Sequence, residues 1–258
     1  MNQHKWPQSL WIVRHGQSAG NVARDEAEAA SRMWIDIAHR DVDVPLSSLG
    51  QQQSSALGQW VAELPEDVRP TAVLCSPYAR AQQTAQLIIE AAGLDREDFT
   101  FCTDERLREK EFGILDRLTK YGIQQRHPTL SEQRTHVGKF YFRPPGGESW
   151  CDVILRLRNM VGTLTRDYRG ERVMIIAHQV VVNCLRYLLE GLNEQQILAI
   201  DRRGDVPNCS VTSYEFDPSA GKQGKMILKL ENFVAPLREK GAPVTAEPDD
   251  PTQKAAGA

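Results

Sequence analysis

The run Leu10-Trp11-Ile12-Val13, ending in Arg14-His15-Gly16, limits what this chain can become more than any other stretch. Four consecutive apolar residues are too few for a helix and suit a strand buried on both faces. Such a strand delivers its last residues to the carboxyl edge of an open α/β sheet, where ligands bind. A guanidinium, an imidazole and a glycine at that edge suggest phosphate held against a histidine. Glycine lets the backbone turn tightly and approach the ligand, and the amides that follow, with Ser18 and Asn21, offer donors around an anion.

The pattern repeats downstream. Thr71-Ala72-Val73-Leu74-Cys75 reads as a second buried strand, followed by Ser76-Pro77-Tyr78-Ala79-Arg80 and a helix stopped by Gly93. Arg172-Val173-Met174-Ile175-Ile176-Ala177 reads as another; it ends in His178-Gln179, and an apolar helix follows with Gly191 as its C-cap signal. Residues 99–102, 208–216 and 225–233 have strand character, the last two as partners across a Gly/Lys turn. Helical periodicity follows Pro45-Leu46, with Ala56, Leu57, Trp60, Val61 and Leu64 on one face and Ser47 or Ser48 as N-cap. It returns around 115–126, before a loop at His127-Pro128, and again from Ser149 to about residue 165, where Arg156 and Arg158 read as surface. Residues 22–40 read as a surface excursion with a short helix, or as a lid that packs Trp34 near the substrate. Residues 1–9 read as a polar leader and 10–233 as one domain. Residues 234–258, dominated by proline, alanine, glycine and charge, read as a disordered tail.

Composition narrows the function classes. With 31 basic and 34 acidic residues the net charge is -3, far from the basic balance of a duplex nucleic-acid binder. No stretch approaches the roughly 20 apolar residues that cross a bilayer, and the first residues lack the apolar core of a signal peptide. Five scattered cysteines without a CxxC pair read as reduced thiols in a cytoplasmic protein, not as a metal site. The expectation is a small phosphorylated substrate, no nucleic acid and no membrane; oligomeric state is left open.

Polar corners that do not belong in a core then form one set: Arg14-His15, Arg80, Glu109 and His178. Phosphoryl transfer needs a nucleophile, positive charge on the equatorial oxygens and a proton for the leaving group. A neutral imidazole can attack phosphorus in line, and guanidiniums offer planar forks that match phosphate oxygens. A partly buried glutamate can protonate the departing alkoxide and then act as base on water. No metal or cofactor is required. Glu105 and Glu111 flank Glu109, and side-chain chemistry alone does not choose among the three.

Five ordered motifs resemble those of the histidine phosphatase superfamily, the phosphoglycerate mutase-like group. They are Arg14-His15-Gly16-Gln17-Ser18, Pro45-Leu46 with Gly50 and Gln53, Ser76-Pro77 with Arg80-Ala81 and Thr84-Ala85, Leu107-Arg108-Glu109 with Gly113, and Ala177-His178. The resemblance implies an α/β fold in three α/β/α layers, its mixed, mostly parallel sheet flanked by helices. It also implies His15 as the phosphorylated nucleophile, Arg14, Arg80 and His178 as phosphoryl ligands, Asn21 as the close of the first motif and Glu109 as proton donor. His178-Gln179 and Gly147-Glu148-Ser149 are similar to the fructose-2,6-bisphosphatase-like branch, and Arg143 matches that branch's sugar-phosphate loop. Gly146 stands where the branch has a lysine and Pro144 where it has a tyrosine, which argues against fructose 2,6-bisphosphate itself. Arg143, Gln179 and the excursion are the candidates for substrate selection. The expected activity is metal-independent phosphomonoester hydrolysis through a phosphohistidine, with mutase-type transfer or non-catalytic phosphate binding as alternatives.

One rival comes from the same stretch. Gly16-Gln17-Ser18-Ala19-Gly20 also fits the G-x-S-x-G elbow of serine hydrolases. That fold builds several strands before its elbow, and this chain has one.

Overall fold

The computed structural model describes residues 5–95 and 99–246. In chain order its first half holds β1 (Ser9–Arg14), α1 (Ala19–Ala29), α2 (Ser48–Glu63), β2 (Ala72–Cys75), α3 (Ala79–Ala92), β3 (Thr100–Thr103), α4 (Lys120–Arg126) and α5 (Pro128–Val137). There follow α6 (Trp150–Asp167), β4 (Arg172–Ala177), α7 (Gln179–Glu190), α8 (Glu194–Arg203), β5 (Val211–Asp217), β6 (Lys225–Phe233) and α9 (Ala235–Glu239).

The strands form one sheet in the order β3-β2-β4-β1-β5-β6. The first four in that order run parallel, and β5 and β6 are antiparallel additions at one edge. Because side chains alternate across a strand, the apolar run of β1 serves two cores. Leu10 and Ile12 join Leu74 and Ile175 against Val153 and Leu157 of α6 and Val181 and Leu185 of α7. Trp11 and Val13 join Val73, Met174 and Ile176 against Leu57 and Val61 of α2 and Ala85 and Ile88 of α3. Each such side chain, fully buried, contributes about 1.5–3 kcal/mol. This is the expected three-layer arrangement.

Three expectations are corrected. The chain from residue 234 onward is ordered as far as residue 246, because α9 buries Leu237 in the second core and Gln53 Nε2 donates to Pro243 O (2.9 Å) and Thr245 Oγ1 (3.0 Å). Residues 247–258 lie outside the described residues. The leader is not merely polar: Trp6 packs on the first core, and Gln8 bonds through its backbone to Glu171 and Phe216. His127-Pro128 is not a loop but the start of α5, since proline at the first helical position gives up a donor the helix does not use.

Candidate active site

Strand register builds the floor. Arg14 of β1 stands opposite Ala177 of β4, so the next residue of each strand, His15 and His178, emerges side by side. Their rings meet edge to face with centroids 5.1 Å apart. On the other side of β4 the Ser76 amide continues the ladder from β2, and Ser76 Oγ lies 2.8 Å from His178 Nε2. Polar side chains distant in sequence thus share one sheet edge.

His15 is fully buried and held in one tautomer. Its Nδ1 lies 2.7 Å from the Gly16 carbonyl oxygen and must therefore carry the proton. Nε2 keeps its lone pair and accepts a 3.3 Å bond from Arg80 Nε. The backbone turn beyond His15 is clamped on α2: a Cβ on Gly16 would sit 2.5 Å from Gly50 O, and one on Gly50 only 2.0 Å from Gln17 O. Close approach of two backbones explains both glycines.

Arg14 is buried beneath the histidine and donates to the Val206 carbonyl. Asn208 Nδ2 donates to His15 O at 3.0 Å, and the Cys209 amide to Arg14 O at 3.0 Å. The loop from 204 to 210 is therefore a brace that sequence reading missed, since much of it acts through backbone groups. Gln179 ties to the same loop, donating to Asp205 Oδ1 at 2.6 Å. Arg80 lies with its guanidinium carbon 4.8 Å from the centroid of the Tyr78 ring. Burial first, then Asp41 and Glu111, push the Tyr78 phenol up, so it stays protonated and donates to Glu111 Oε1 at 3.2 Å.

Among the three glutamates the structure selects by burial and place. Glu109 is 1% exposed and lines the cleft with Arg80, whereas Glu105 and Glu111 are exposed. Its backbone is held from behind by Arg156, which donates to Glu109 O at 3.2 Å and to the Arg106 carbonyl. Glu148 in turn binds Arg156 (3.0 Å) and Arg108 (2.7 Å). Arg156 is thus no surface residue; helical periodicity did not reveal the loop packed on that face.

A cleft beside Arg80, about 580 Å³ with open solvent included, is bordered by Asn21, Arg24, Asp41, Glu109, Asp116 and Arg117 among others, while Arg14, His15 and His178 are fully buried and do not border it. Asn21 closes the first motif as the third residue of α1, its Oδ1 accepting the Ser18 amide (2.9 Å) and hydroxyl (2.8 Å). That capping box occupies the hydroxyl a serine-hydrolase elbow would need. Trp34 is not packed near the substrate: it does not line this cleft and lies under the Arg126 guanidinium, while Ile35 and Ile37 from the same excursion do line it.

Arg143 is the clearest departure. It does not line the cleft and forms a bidentate pair with Asp152 on the first turn of α6. Arg143→Ala is expected to leave kcat/KM on small phosphate esters within about twofold, a difference of about 0.4 kcal/mol, and steady-state assay of the variant checks it. Asp152 carries the consequence instead. Burial pushes its carboxyl up, but Arg143 and the Ser149 hydroxyl and amide outweigh this and hold it at about 2. Against an unfolded value of about 3.9, this lowered group stabilises fully above that value and loses its contribution as pH falls toward 2. Denaturant unfolding should therefore show the stability gap between wild type and Asp152→Asn closing between about pH 4 and 2.

One edge of a doubly covered α/β sheet thus gathers a tautomer-locked histidine, two buried arginines and a second buried histidine. Residues 10–226 match the histidine phosphatase superfamily (branch 1), and the chain belongs to that family. It is 32% identical over 230 residues to a Caenorhabditis elegans 6-phosphofructo-2-kinase/fructose-2,6-bisphosphatase, a match that takes in 86% of this chain and 44% of the relative, so the chain spans less than half of that protein. It is 30% identical over 205 residues to a 2,3-bisphosphoglycerate-dependent phosphoglycerate mutase of Sinorhizobium fredii, covering 77% of this chain and 87% of the relative. Among solved structures, Bacillus stearothermophilus YhfR superposes with a TM-score of 0.68 at 26% identity, covering 89% of this chain and 98% of YhfR. A mycobacterial glucosyl-3-phosphoglycerate phosphatase gives 0.65 at 25% identity, covering 88% and 99%.

Proposed function

We propose that the chain hydrolyses small phosphomonoesters through a phosphohistidine on His15 Nε2. The observation that carries this reading is the locked tautomer: Nδ1 is committed to Gly16 O, and Nε2 faces the Arg80 guanidinium that would bind the phosphoryl oxygens. Nε2 attacks phosphorus as the bond to the ester oxygen breaks, and Glu109 passes its proton to the leaving alkoxide. Water then attacks the phosphohistidine, gives its proton to Glu109, and inorganic phosphate leaves with the N–P bond broken. Arg14, Arg80 and His178 carry the oxygens, with electrostatic stabilisation aimed at the transferring group. The side chains supply the nucleophile, acid and positive charge, which supports a reaction without metal or cofactor. Names of relatives point the same way: phosphatases and phosphoryl-transferring mutases of this family.

We place the protein in the cytoplasm. Its five cysteines are free thiols, and no helix among the described residues is long and apolar enough to cross a membrane.

Phosphate release from p-nitrophenyl phosphate and a panel of sugar, glycerate and nucleotide monophosphates, with and without chelator, tests the reading. Hydrolysis unaffected by chelator is expected. No hydrolysis across the panel would sink it in favour of a phosphate-binding role, and conversion of 3- to 2-phosphoglycerate without net phosphate release would favour the mutase reading.

A further inference from the structure

Beyond the phosphoryl floor, the mouth of the cleft is polar, yet its arginines already have acidic neighbours. Asp41 takes Arg80 Nη1 through its carbonyl oxygen at 2.7 Å and its carboxylate Oδ1 at 3.0 Å. Arg80 also reaches His15 Nε2 through Nε, so Asp41 stands one guanidinium's width from the nucleophile. Asp116 also borders the cleft, with the Arg117 guanidinium 3.9 Å away. Burial first, and then the charge of Asp41, push its carboxyl up, while Arg117 and Arg24 draw it down; the two acids and both arginines therefore share one field. Arg117 further donates to the His39 carbonyl at 2.7 Å. Ile35, Ile37 and Phe112 give the same cleft an apolar wall.

A second phosphate or carboxylate on the substrate would meet the carboxylates of Asp41 and Asp116 beside the Arg80 and Arg117 guanidiniums at this mouth. A hydroxyl is both donor and acceptor, so it pairs with either. Discrimination of this kind works by repelling the wrong partner as well as by contacting the right one. We propose that the mouth selects phosphomonoesters whose organic part is an uncharged polyol, with Asp41 and Asp116 accepting its hydroxyls and disfavouring a second anionic group. The inference rests on the phosphatase reading above, and it separates this chain from relatives whose names specify bisphosphates or phosphoglycerates.

The test compares kcat/KM for glycerol 3-phosphate, 3-phosphoglycerate and fructose 1,6-bisphosphate, with p-nitrophenyl phosphate as a reference that carries neither hydroxyls nor a second anion. Wild type is expected to prefer glycerol 3-phosphate over 3-phosphoglycerate by about tenfold, the value of one interaction worth roughly 1.4 kcal/mol. Asp41→Asn and Asp116→Asn should each narrow that ratio about threefold by speeding the phosphoglycerate reaction. A wild type that prefers either doubly anionic substrate, or a ratio that neither substitution moves, overturns the inference while leaving the phosphatase reading intact. Absence of hydrolysis on all substrates, p-nitrophenyl phosphate included, overturns both.

Discussion

Replacing His15 with alanine should cost at least about 10⁴-fold in turnover on every phosphate ester, because it removes the proposed nucleophile. No neighbour on the floor is placed to substitute. His178 Nε2 is engaged with Ser76 Oγ, the Ser18 hydroxyl is bound to Asn21, and the Tyr78 phenol is kept protonated. Since His15 is fully buried, the loss must be shown on folded protein. His15→Gln provides the control: it keeps a polar side chain of similar reach, should unfold at a similar denaturant concentration, and should be equally inactive. Turnover by either variant within about tenfold of wild type would show that another group attacks phosphorus.

Glu109→Gln should divide substrates by leaving group. For alkyl esters the departing oxygen needs a proton in the first step, and removal of a general acid costs about 10²–10⁴-fold. For p-nitrophenyl phosphate the leaving phenolate needs no proton, so His15 is still phosphorylated, but the water of the second step has lost its base. The expected signature is a burst of nitrophenol followed by slow turnover, read by stopped-flow absorbance. An equal loss on aryl and alkyl esters without a burst would instead mark Glu109 as a structural support. Its place favours the acid-base role: the side chain lines the cleft while its backbone is anchored by Arg156, itself held by Glu148.

Much of this site is written in the sequence, for a physical reason. Strands buried on both faces must be continuous apolar runs, so β1, β2 and β4 announce themselves, and a charged residue at the end of such a run stands out. That logic finds Arg14, His15 and His178 directly. It does not find their contact, because the pairing of β1 with β4 joins residues about 160 positions apart along the chain and is decided by the whole sheet. Glu109 is visible only as one acid in a charged segment; its backbone is held by Arg156 of α6, which Glu148 of the preceding loop binds in turn. Arg143 shows the complementary limit. Motif position suggests a cation for substrate selection, and the structure pairs it with Asp152, the N3 residue of α6 and part of its capping box. The brace from 204 to 210 was missed because carbonyls such as that of Val206 leave no side-chain signature. Composition misled at the carboxyl end, where a few residues, Leu237 and Thr245 among them, suffice to dock a segment otherwise rich in disorder-promoting types.

In the proposed reaction the phosphoryl group passes to one atom, His15 Nε2. Rapid mixing with a phosphate ester, quenching without acid, and ³¹P NMR of the isolated phosphoprotein test it most directly, since the two ring nitrogens give distinct phosphohistidine resonances. A single phosphoryl group on Nε2 of His15, lost on further incubation in water and absent from His15→Gln, is the predicted result. A phosphoryl group on Nδ1, which Gly16 O occupies here, or on any other residue would contradict it.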